Sequence, residues 1–223
     1  MRRSKARRVL PVLILLCLSH VASAESIRVF NIENGLPHNR VNKIFRDSKN
    51  FLWICTDDGL SRFDGHEFVN YTRANGLPHM YVNAVLETRT GEYWVATDGG
   101  LSRLDPRPGE TRFTNYAPSG AVEARHINDL TEDSDGSLLL GTSFGLYRFT
   151  ALRHPAIFER IDFIPSPHPP EQVMVNAIAQ DTDGSLWLAT NHGLYQRGRN
   201  AGWTHYDRWT GAGPPAFAYS FAK

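Results

Sequence analysis

The sequence has very little cysteine. Only two of its 223 residues are cysteines, and Cys17 lies in an N-terminal leader that we expect to be removed. Cys55 is then alone, which excludes an intramolecular disulfide. It lies in the apolar run 53–56, where nothing nearby would lower a thiol pKa, so we predict a buried and structural side chain.

Long apolar runs are also missing. The longest one, residues 9–18, is about half of the roughly 20 residues that span a bilayer. Five basic residues and no acid precede it, and Ala22-Ser23-Ala24 follows it as a small-x-small cleavage site. Basic, apolar and small regions in this order are typical of a secretory signal peptide. We therefore predict that residues 1–24 direct export to the periplasm, with an uncleaved anchor as the alternative.

Positive charge is scarce once this leader is set aside. The mature chain keeps 19 Lys and Arg against 23 Asp and Glu, a net charge of about −4. Nucleic-acid binding depends on neutralising phosphates with basic residues. A nucleic-acid partner therefore has no electrostatic support.

The motifs of common catalytic and metal sites are absent as well. The sequence has neither a Gly-rich phosphate loop nor a nucleophile elbow. Its nine histidines include no close-spaced pair of the zinc-ligand kind. The Asp-x-Asp-Gly turns at Asp133 and Asp181 lack the downstream Glu of a calcium loop. We predict no catalytic residue, no metal site and no cofactor.

What the chain does contain is a repeat. Four segments, VNKIFRDSKNFLWICTDDGL and its counterparts, align without a gap over twenty positions. They begin at Val41, Val82, Ile127 and Val175, which are 41, 45 and 48 residues apart. A polar turn with Asn or Gly, an apolar second strand and a further Gly turn recur in each, and Gly and Asn accept the positive φ of tight hairpins. Four short strands at this spacing, without helical periodicity, predict an all-β fold, a β-propeller of four-stranded antiparallel blades.

Two repeated side chains have a structural interpretation. The second position of every repeat is Asn, which we expect to satisfy backbone groups between blades; these residues are Asn42, Asn83, Asn128 and Asn176. The first strand of each blade is apolar enough to be buried on both faces. A tryptophan on the second strand is expected to pack as a core wedge between blades; these residues are Trp53, Trp94 and Trp187.

The propeller is expected to be incomplete. Residues 27–30 followed by Asn34-Gly35-Leu36-Pro37 repeat, at an offset of 41, the outer strand and NGLP turn at 68–78. An outer strand thus precedes the first blade, whereas residues 211–223 offer no inner strand. About four blades, at the low end of the ~4–8 range, occupy residues 25–210. We predict the front part of a longer chain, with 211–223 as the start of a connection or a disordered end.

These motifs resemble the two-component regulator propeller repeat, whose pattern runs NGLP, V-N-x-I, D-x-x-G, L-W-x-x-T and G-L-S/Y-R-F/Y. The resemblance covers about residues 27–206; the third unit departs at Leu139 and the fourth at Gln196-Arg197. It implies the periplasmic sensor region of a bacterial receptor, such as a hybrid histidine kinase or diguanylate cyclase. The output domain, the membrane segment and a homodimer would then belong to a C-terminal continuation of this chain.

One face of such a propeller is a candidate ligand site. The loop that enters each inner strand and the turn between the second and third strands should lie together there, and loops on a rigid scaffold often carry function. The candidate ligand-binding residues are His38, Asn39, Arg40, Asp57, Asp58, His79, Tyr81, Asp98, Arg125, His126, Asn191 and His192. Such groups suit a small polar molecule, a carbohydrate being one candidate. The alternative for each residue is a solvated turn position without a ligand.

Three functions remain open at this point. The first is a ligand-sensing propeller that conveys binding to an output domain. The second is an enzyme, because streptogramin lyase is similar to this family and uses a catalytic His; no histidine here stands out from the turn positions around it. The third is an interaction scaffold for another envelope protein.

Overall fold

The computed structural model describes residues 27–107, 110–119, 122–151, 156–163, 169, 172–181, 183–198 and 202–206. The predicted signal peptide and the predicted C-terminal segment 211–223 lie outside these residues. No helix within the described ranges is long and apolar enough to cross a membrane.

Sixteen strands in the described residues form four separate antiparallel sheets of four strands, each sheet built from consecutive strands. We call the sheets blades 1 to 4. Their strands are β1 (Val41–Arg46), β2 (Leu52–Thr56), β3 (Gly59–Phe63) and β4 (Phe68–Tyr71); β5 (Val82–Glu87), β6 (Tyr93–Thr97), β7 (Gly100–Arg107) and β8 (Glu110–Tyr116); β9 (Ile127–Glu132), β10 (Leu138–Thr142), β11 (Gly145–Thr150) and β12 (Ile157–Ile161); β13 (Val175–Gln180), β14 (Leu186–Thr190), β15 (Gly193–Arg197) and β16 (Trp203–Tyr206). Short 3-10 turns, Ile32–Asn34, Arg73–Asn75 and Val122–Arg125, precede the first three blades. The predicted fold class is confirmed.

The glycine turn between the second and third strands is sterically closed in blades 1 and 2. Gly100 has a φ of +127°, and a Cβ built on it would lie 2.5 Å from the backbone oxygen of Tyr116 on the outer strand. Gly91, in the β5–β6 turn, also has a positive φ of +81°, but nothing lies within 4 Å of its Cβ position. Of these two turns, only the one at Gly100 therefore requires glycine for space as well as for conformation.

Alanine substitutions at Gly100 and Gly91 should separate the cost of steric overlap from the cost of the left-handed backbone conformation. We expect Gly100→Ala to lower the unfolding free energy by about 2–5 kcal/mol, from backbone strain and overpacking together. Gly91→Ala should cost about 1–2 kcal/mol, since only the left-handed conformation is penalised. Urea unfolding of both variants measures this. Equal losses would contradict the close approach of the outer strand to Gly100.

The core lies between blades. Trp53 of blade 1 is 1% exposed and packs with its ring centroid 5.2 Å from that of Tyr93 in blade 2. Trp94 repeats this against Phe149 of blade 3, at 5.3 Å. The predicted wedge role is confirmed for both. Trp187 differs: it is only partly buried, because no described blade follows blade 4.

The inner strands β1, β5, β9 and β13 are neighbours around a common axis, and the repeated asparagines join them. The side-chain amide of Asn42 donates to the carbonyl of Val82 in the next blade, at 3.0 Å. Asn83 donates to Ile127 at 2.9 Å, and Asn128 donates to the first residue of β13 at 2.9 Å. The predicted role between blades is confirmed for these three asparagines.

Blade 1 has an open front face, which corrects the prediction that every inner strand is buried on both sides. Ile44 of β1 is 61% exposed, whereas the equivalent residues of β5, β9 and β13 are 2–6% exposed. Residues 27–30, predicted as an outer strand, form no strand, although Phe30 packs against Phe63 at a centroid distance of 5.1 Å. The physical reason is the same for both: no sheet precedes blade 1 in the described residues. The four blades do not close into a ring.

Candidate ligand-binding rim and central cavity

One face of the propeller collects the loops before the inner strands and the turns between second and third strands; we call it the rim. In each blade the turn donates a backbone hydrogen bond to the loop. The pairs are Asp57 to Arg40 (3.4 Å), Asp98 to Tyr81 (3.3 Å), Ser143 to His126 (3.0 Å) and Asn191 to Met174 (3.2 Å). The structure thus brings the predicted residues together blade by blade.

In blade 1 the rim is held by side-chain contacts. His38 Nδ1 accepts a bond from the backbone N–H of Arg40 at 3.0 Å. The Arg40 guanidinium lies 3.5 Å from Asp57, which also accepts the Asn42 amide at 3.0 Å. Because the Arg40 side chain is mostly exposed, this ion pair adds little stability and can be rearranged by a ligand.

Two other predicted residues of blade 1 have local roles. Asn39 Oδ1 accepts the backbone N–H of Ile32 at 3.0 Å and so anchors the preceding 3-10 turn. Asp58 is exposed, and its backbone N–H donates to Thr56 Oγ1 at 3.2 Å. Both residues are exposed, and the Asn39 side chain is the one that holds a backbone group.

Blade 2 repeats the arrangement and adds an aromatic edge. His79 Nδ1 accepts the backbone N–H of Tyr81 at 3.1 Å, and the two rings meet edge to face at 5.2 Å. Tyr81 is 41% exposed. Asp98 accepts the Asn83 amide at 2.7 Å. The exposed Tyr81 ring, with the half-buried His79 against it, can stack on a ligand, and the Asp98 carboxylate can accept a hydrogen bond.

In blades 3 and 4, fewer of the predicted rim residues are exposed. Arg125 is exposed at the end of its 3-10 turn, and His126 is half-buried beside it. Asn191 is used structurally: its Oδ1 accepts the Met174 N–H at 2.8 Å and its Nδ2 donates to a loop carbonyl at 3.2 Å. The carbonyl of His192 lies 2.7 Å from a ring nitrogen of His205 on the outer strand.

The sequence prediction missed two rim residues. Met174 is 37% exposed and precedes β13 at the position that Arg40, Tyr81 and His126 occupy in the other blades. Phe144 lies in the β10–β11 turn and is half-buried. Extending the gap-free repeat alignment by one residue at its start would have identified Met174.

A cavity of about 470 Å³ lies on the axis, lined by residues of all four inner strands. The asparagines at the second position of each repeat line it, together with Lys43 of blade 1 and Asp129 of blade 3. These two form an ion pair that joins blade 1 directly to blade 3. Asp129 Oδ2 also accepts the backbone N–H of Ile178 in blade 4, at 3.0 Å.

The ion pair was not predicted from the sequence. Its two members occupy the same repeat position, the third of the inner strand, where the other blades have Ala84 and Ala177. They are 86 residues apart in the sequence. The presence of two opposite charges at the same repeat position was the sequence feature that could have predicted the pair. The Asp129 side chain is 7% exposed, so removing Lys43 would leave a buried charge without its counter-ion.

The cysteine beside this pair is inert. Cys55 faces Lys43 across the β1–β2 ladder and is fully buried. Burial raises the pKa of its thiol far above the ordinary range, which keeps it protonated. The structural role predicted for it is confirmed. Within the described ranges, no three His, Cys, Asp or Glu residues are grouped closely enough to hold a metal ion.

Wedge-shaped four-stranded sheets around an axis, with their loops on one rim, define a β-propeller, here an open one. The sequence model of the two component regulator propeller family matches residues 35–58, 76–99 and 169–192. The chain therefore carries repeats of the two-component regulator propeller family, as the sequence motifs indicated. The third blade, which lacks the tryptophan and the NGLP turn, is outside the matched segments.

Solved structures share this fold. The extracellular domain of the putative hybrid two component system BT4673 from B. thetaiotaomicron is 20% identical, with a TM-score of 0.63 over 77% of this chain and 22% of that one. Virginiamycin B lyase from Staphylococcus aureus is 16% identical, with a TM-score of 0.63 over 83% of this chain and 61% of the lyase. A gluconolactonase from Xanthomonas campestris is 16% identical, with a TM-score of 0.56 over 77% of this chain and 63% of that enzyme. At these identities the likeness concerns the fold alone.

The chain spans about a fifth of the length of the B. thetaiotaomicron structures that it resembles. No curated protein sequence matches it. Three segments of it match the two component regulator propeller model, and its fold resembles that of the extracellular domains of putative hybrid two component systems.

Proposed function

We propose that the chain is the ligand-sensing region of an exported bacterial receptor. A small polar molecule binds to the propeller, and its different affinity for two receptor states biases an output domain. The observation that carries the proposal is the rim, where the entry loop and the β2–β3-type turn of each blade meet on one face. The family membership of the repeats supports the same role.

A binding test follows from the rim of blade 2. The mature chain, residues 25–223, is heated with a panel of neutral sugars, sugar acids, amino acids and nucleosides. A ligand at 100 times its Kd stabilises the folded state by about 2.7 kcal/mol, which raises Tm. We expect one class to do so, and His79→Ala with Tyr81→Ala to reduce the shift at least threefold.

The control for this test lies at the opposite end of the same blade. Arg103 and Glu92 form an exposed ion pair at 3.2 Å, remote from the rim, and replacing both by alanine should leave the shift unchanged. A panel in which no compound raises Tm would contradict ligand sensing by this chain. Such a result would favour the interaction scaffold.

Export is part of the proposal. The N-terminal basic, apolar and small regions support a periplasmic location. Expressed in a Gram-negative host, the protein should be released by osmotic shock and should begin at Glu25 by N-terminal sequencing. Retention of Met1 in the membrane fraction would contradict this.

We propose that a C-terminal continuation completes the receptor. The open face of blade 1 and the partly exposed Trp187 of blade 4 support further blades in the assembled protein. The coding sequence after Lys223 tests this: a membrane helix followed by a kinase or cyclase domain is expected, in a protein that dimerises. An immediate stop codon would contradict it.

We propose binding without turnover. His38 and His79 each use Nδ1 to hold the backbone N–H two residues on, and a role repeated in two blades is structural. The enzymatic alternative is tested with quinupristin, the compound in the lyase structure. Purified protein should leave it intact by mass spectrometry, whereas cleavage lost on His126→Ala or His192→Ala would favour an enzyme.

A further inference from the structure

We infer that residues 27–30, which we call the cover, block the front face of blade 1 against blade 4 of a second copy of this chain. Without the cover, copies join head to tail, with blade 4 of one copy on blade 1 of the next. The inference goes beyond the proposed function and does not depend on a ligand. It rests on two open faces that are equivalent, by repeat position, to the faces that pair inside the chain.

The front face of blade 1 has the chemistry of a buried interface. Val41 is 40% exposed, whereas the first residues of β5, β9 and β13 are fully buried. Ile44, at 61% exposure, is open in the same way. In blades 2 to 4 both positions belong to apolar clusters shared with the preceding blade. The front face of blade 1 therefore fits a preceding blade.

The outer face of blade 4, turned away from blade 3, has the form of a face that packs on a following blade. Trp187 stacks on Tyr206 with ring centroids 5.8 Å apart and an interplanar angle of 24°. Trp53 and Tyr71 of blade 1 stack at 5.9 Å and 22°, and both lie in the cluster shared with blade 2. Trp187 and Tyr206 are thus arranged to contact the front face of another blade.

Charge favours the same pairing. The last residue of β5, Glu87, accepts the backbone N–H and the hydroxyl of Ser48 in the hairpin turn of the preceding blade, both at 2.7 Å. In blade 1 the equivalent residue is Arg46, which is exposed. The equivalent turn of blade 4 contains Asp181 and Asp183. The basic residue on blade 1 therefore meets an acidic turn when blade 4 of a second copy lies in front of it.

The cover occupies the place that Tyr206 of the second copy needs. Phe30 lies edge to face with Phe68, at a centroid distance of 5.6 Å and an angle of 79°. Tyr71, the last residue of the outer strand before blade 2, lies in the same way against Phe113, at 6.1 Å and 76°. Phe30 thus lies where the last residue of a preceding outer strand packs, and in blade 4 that residue is Tyr206.

The turn after the cover tethers it to blade 1. Asn70 Nδ2 donates to the carbonyl of Gly35 at 2.8 Å, as Asn115 donates to the carbonyl of Gly76 at 2.9 Å before blade 2. A segment on a short tether has an effective concentration on the order of 1 mM at its site. The cover therefore keeps its place against a second copy that is present at micromolar concentration.

The test is sedimentation velocity of the mature chain, residues 25–223, and of a variant that lacks residues 25–30. We expect the mature chain to stay monomeric up to about 200 µM, and the deletion variant to associate with an apparent Kd of about 20 µM or less. A closed dimer and longer assemblies both support the inference, because a head-to-tail contact forms either a ring or an open chain. Equal association of the two proteins, or none by either, would overturn it.

Two point variants separate the cover from the loss of residues. Phe30→Asp places a carboxylate against Phe63 and Phe68, which is costly, so the cover should leave its place and the chain should associate like the deletion variant. Ile27→Asp makes the same change of charge at a side chain that is 91% exposed, and this control should stay monomeric. If both point variants behaved alike, Phe30 would not be the anchor of the cover and the inference would fail.

Further changes in the deletion variant identify the paired faces. Ile44→Asp on blade 1, at a side chain exposed enough to leave folding intact, should weaken the association at least tenfold, and so should Trp187→Ala on blade 4. Val69→Asp, exposed on the outer strand β4, is the control for Ile44→Asp and should leave the association unchanged. Association that survives Ile44→Asp and Trp187→Ala uses another surface and overturns the head-to-tail contact. The ligand panel decides the sensory role separately from all these outcomes.

Discussion

Trp53→Ala is expected to lower the unfolding free energy by about 3–5 kcal/mol, the usual cost of removing a large aromatic side chain from a core. The Trp53 indole is 1% exposed and lies between Tyr71 of its own blade, at a centroid distance of 5.9 Å, and Tyr93 of blade 2. Its Nε1–H donates to the buried Asp47 carboxylate at 2.8 Å. Truncation therefore opens a cavity at the blade 1–blade 2 contact and removes a charge-assisted hydrogen bond.

The chain supplies a matched control for this substitution. Trp187 has the same place on the second strand of blade 4 and stacks on Tyr206 at 5.8 Å, much as Trp53 stacks on Tyr71. It is only partly buried and has no following blade in the described residues. Trp187→Ala should therefore cost less than half as much in guanidinium unfolding. Equal costs would mean that the outer face of blade 4 is covered in solution, by a second copy or by the chain after residue 206.

The repeat made much of the fold predictable, because each repeated residue reports a contact made in every blade. The position of Asn50 and Gly91 predicted the positive φ of the first hairpin turn, and these residues have φ of +68° and +81°. The invariance of Asn42 and its equivalents predicted a bond between blades, which the structure shows. Local turn chemistry and nearest-neighbour packing are both properties of a single repeat and its neighbour.

Features that break the repeat could not be predicted in the same way. The Lys43–Asp129 pair joins blades 1 and 3, and nothing in one repeat reports a contact two blades away. The exposure of Ile44 arises because no described blade lies in front of it, although its sequence position is identical to that of the buried Val85. On the rim, Asn191 was predicted as a ligand-binding residue, but its amide holds the entry loop of blade 4.

Asp47→Asn is expected to lower the unfolding free energy at pH 7 by about 2–4 kcal/mol, because hydrogen bonds to a buried charged acceptor contribute about 1.5–3 kcal/mol each. Asp47 is 4% exposed. Its Oδ2 accepts Trp53 Nε1–H at 2.8 Å and the Tyr93 hydroxyl at 2.9 Å, and its Oδ1 accepts two backbone N–H groups of the hairpin turn. In the variant, one of the two side-chain oxygens is replaced by an NH₂ group, which donates hydrogen bonds and cannot accept them. Either the two backbone N–H groups or the Trp53 and Tyr93 donors therefore lose their acceptor.

This substitution also has a pH signature. Burial acts to raise the pKa of Asp47, but the bonds from Trp53, the Phe51 N–H, Tyr93 and the Lys49 N–H outweigh it and hold the pKa below its usual value. A carboxyl whose pKa is lower in the folded state than in the unfolded state stabilises the fold fully above the unfolded pKa of about 3.9. That contribution is lost as the pH falls through the folded pKa. The parent protein should therefore lose more stability than Asp47→Asn between pH 6 and pH 2.

The comparison needs a surface carboxylate as its reference. Asp64 also has a pKa below its usual value, because the backbone N–H groups of Glu67 and His66 donate to it in a fully exposed turn. Asp64→Asn keeps an oxygen for these donors, and because its turn is fully exposed, its stability relative to the parent in urea unfolding should change less with pH than that of Asp47→Asn. If the stability gap between the parent and Asp47→Asn stayed constant from pH 6 to pH 2, the Asp47 carboxylate would not be what joins blade 1 to Tyr93. If the stability gap to the parent narrows more on acidification for Asp47→Asn than it changes for Asp64→Asn, the acid-sensitive contact lies at the blade 1–blade 2 interface.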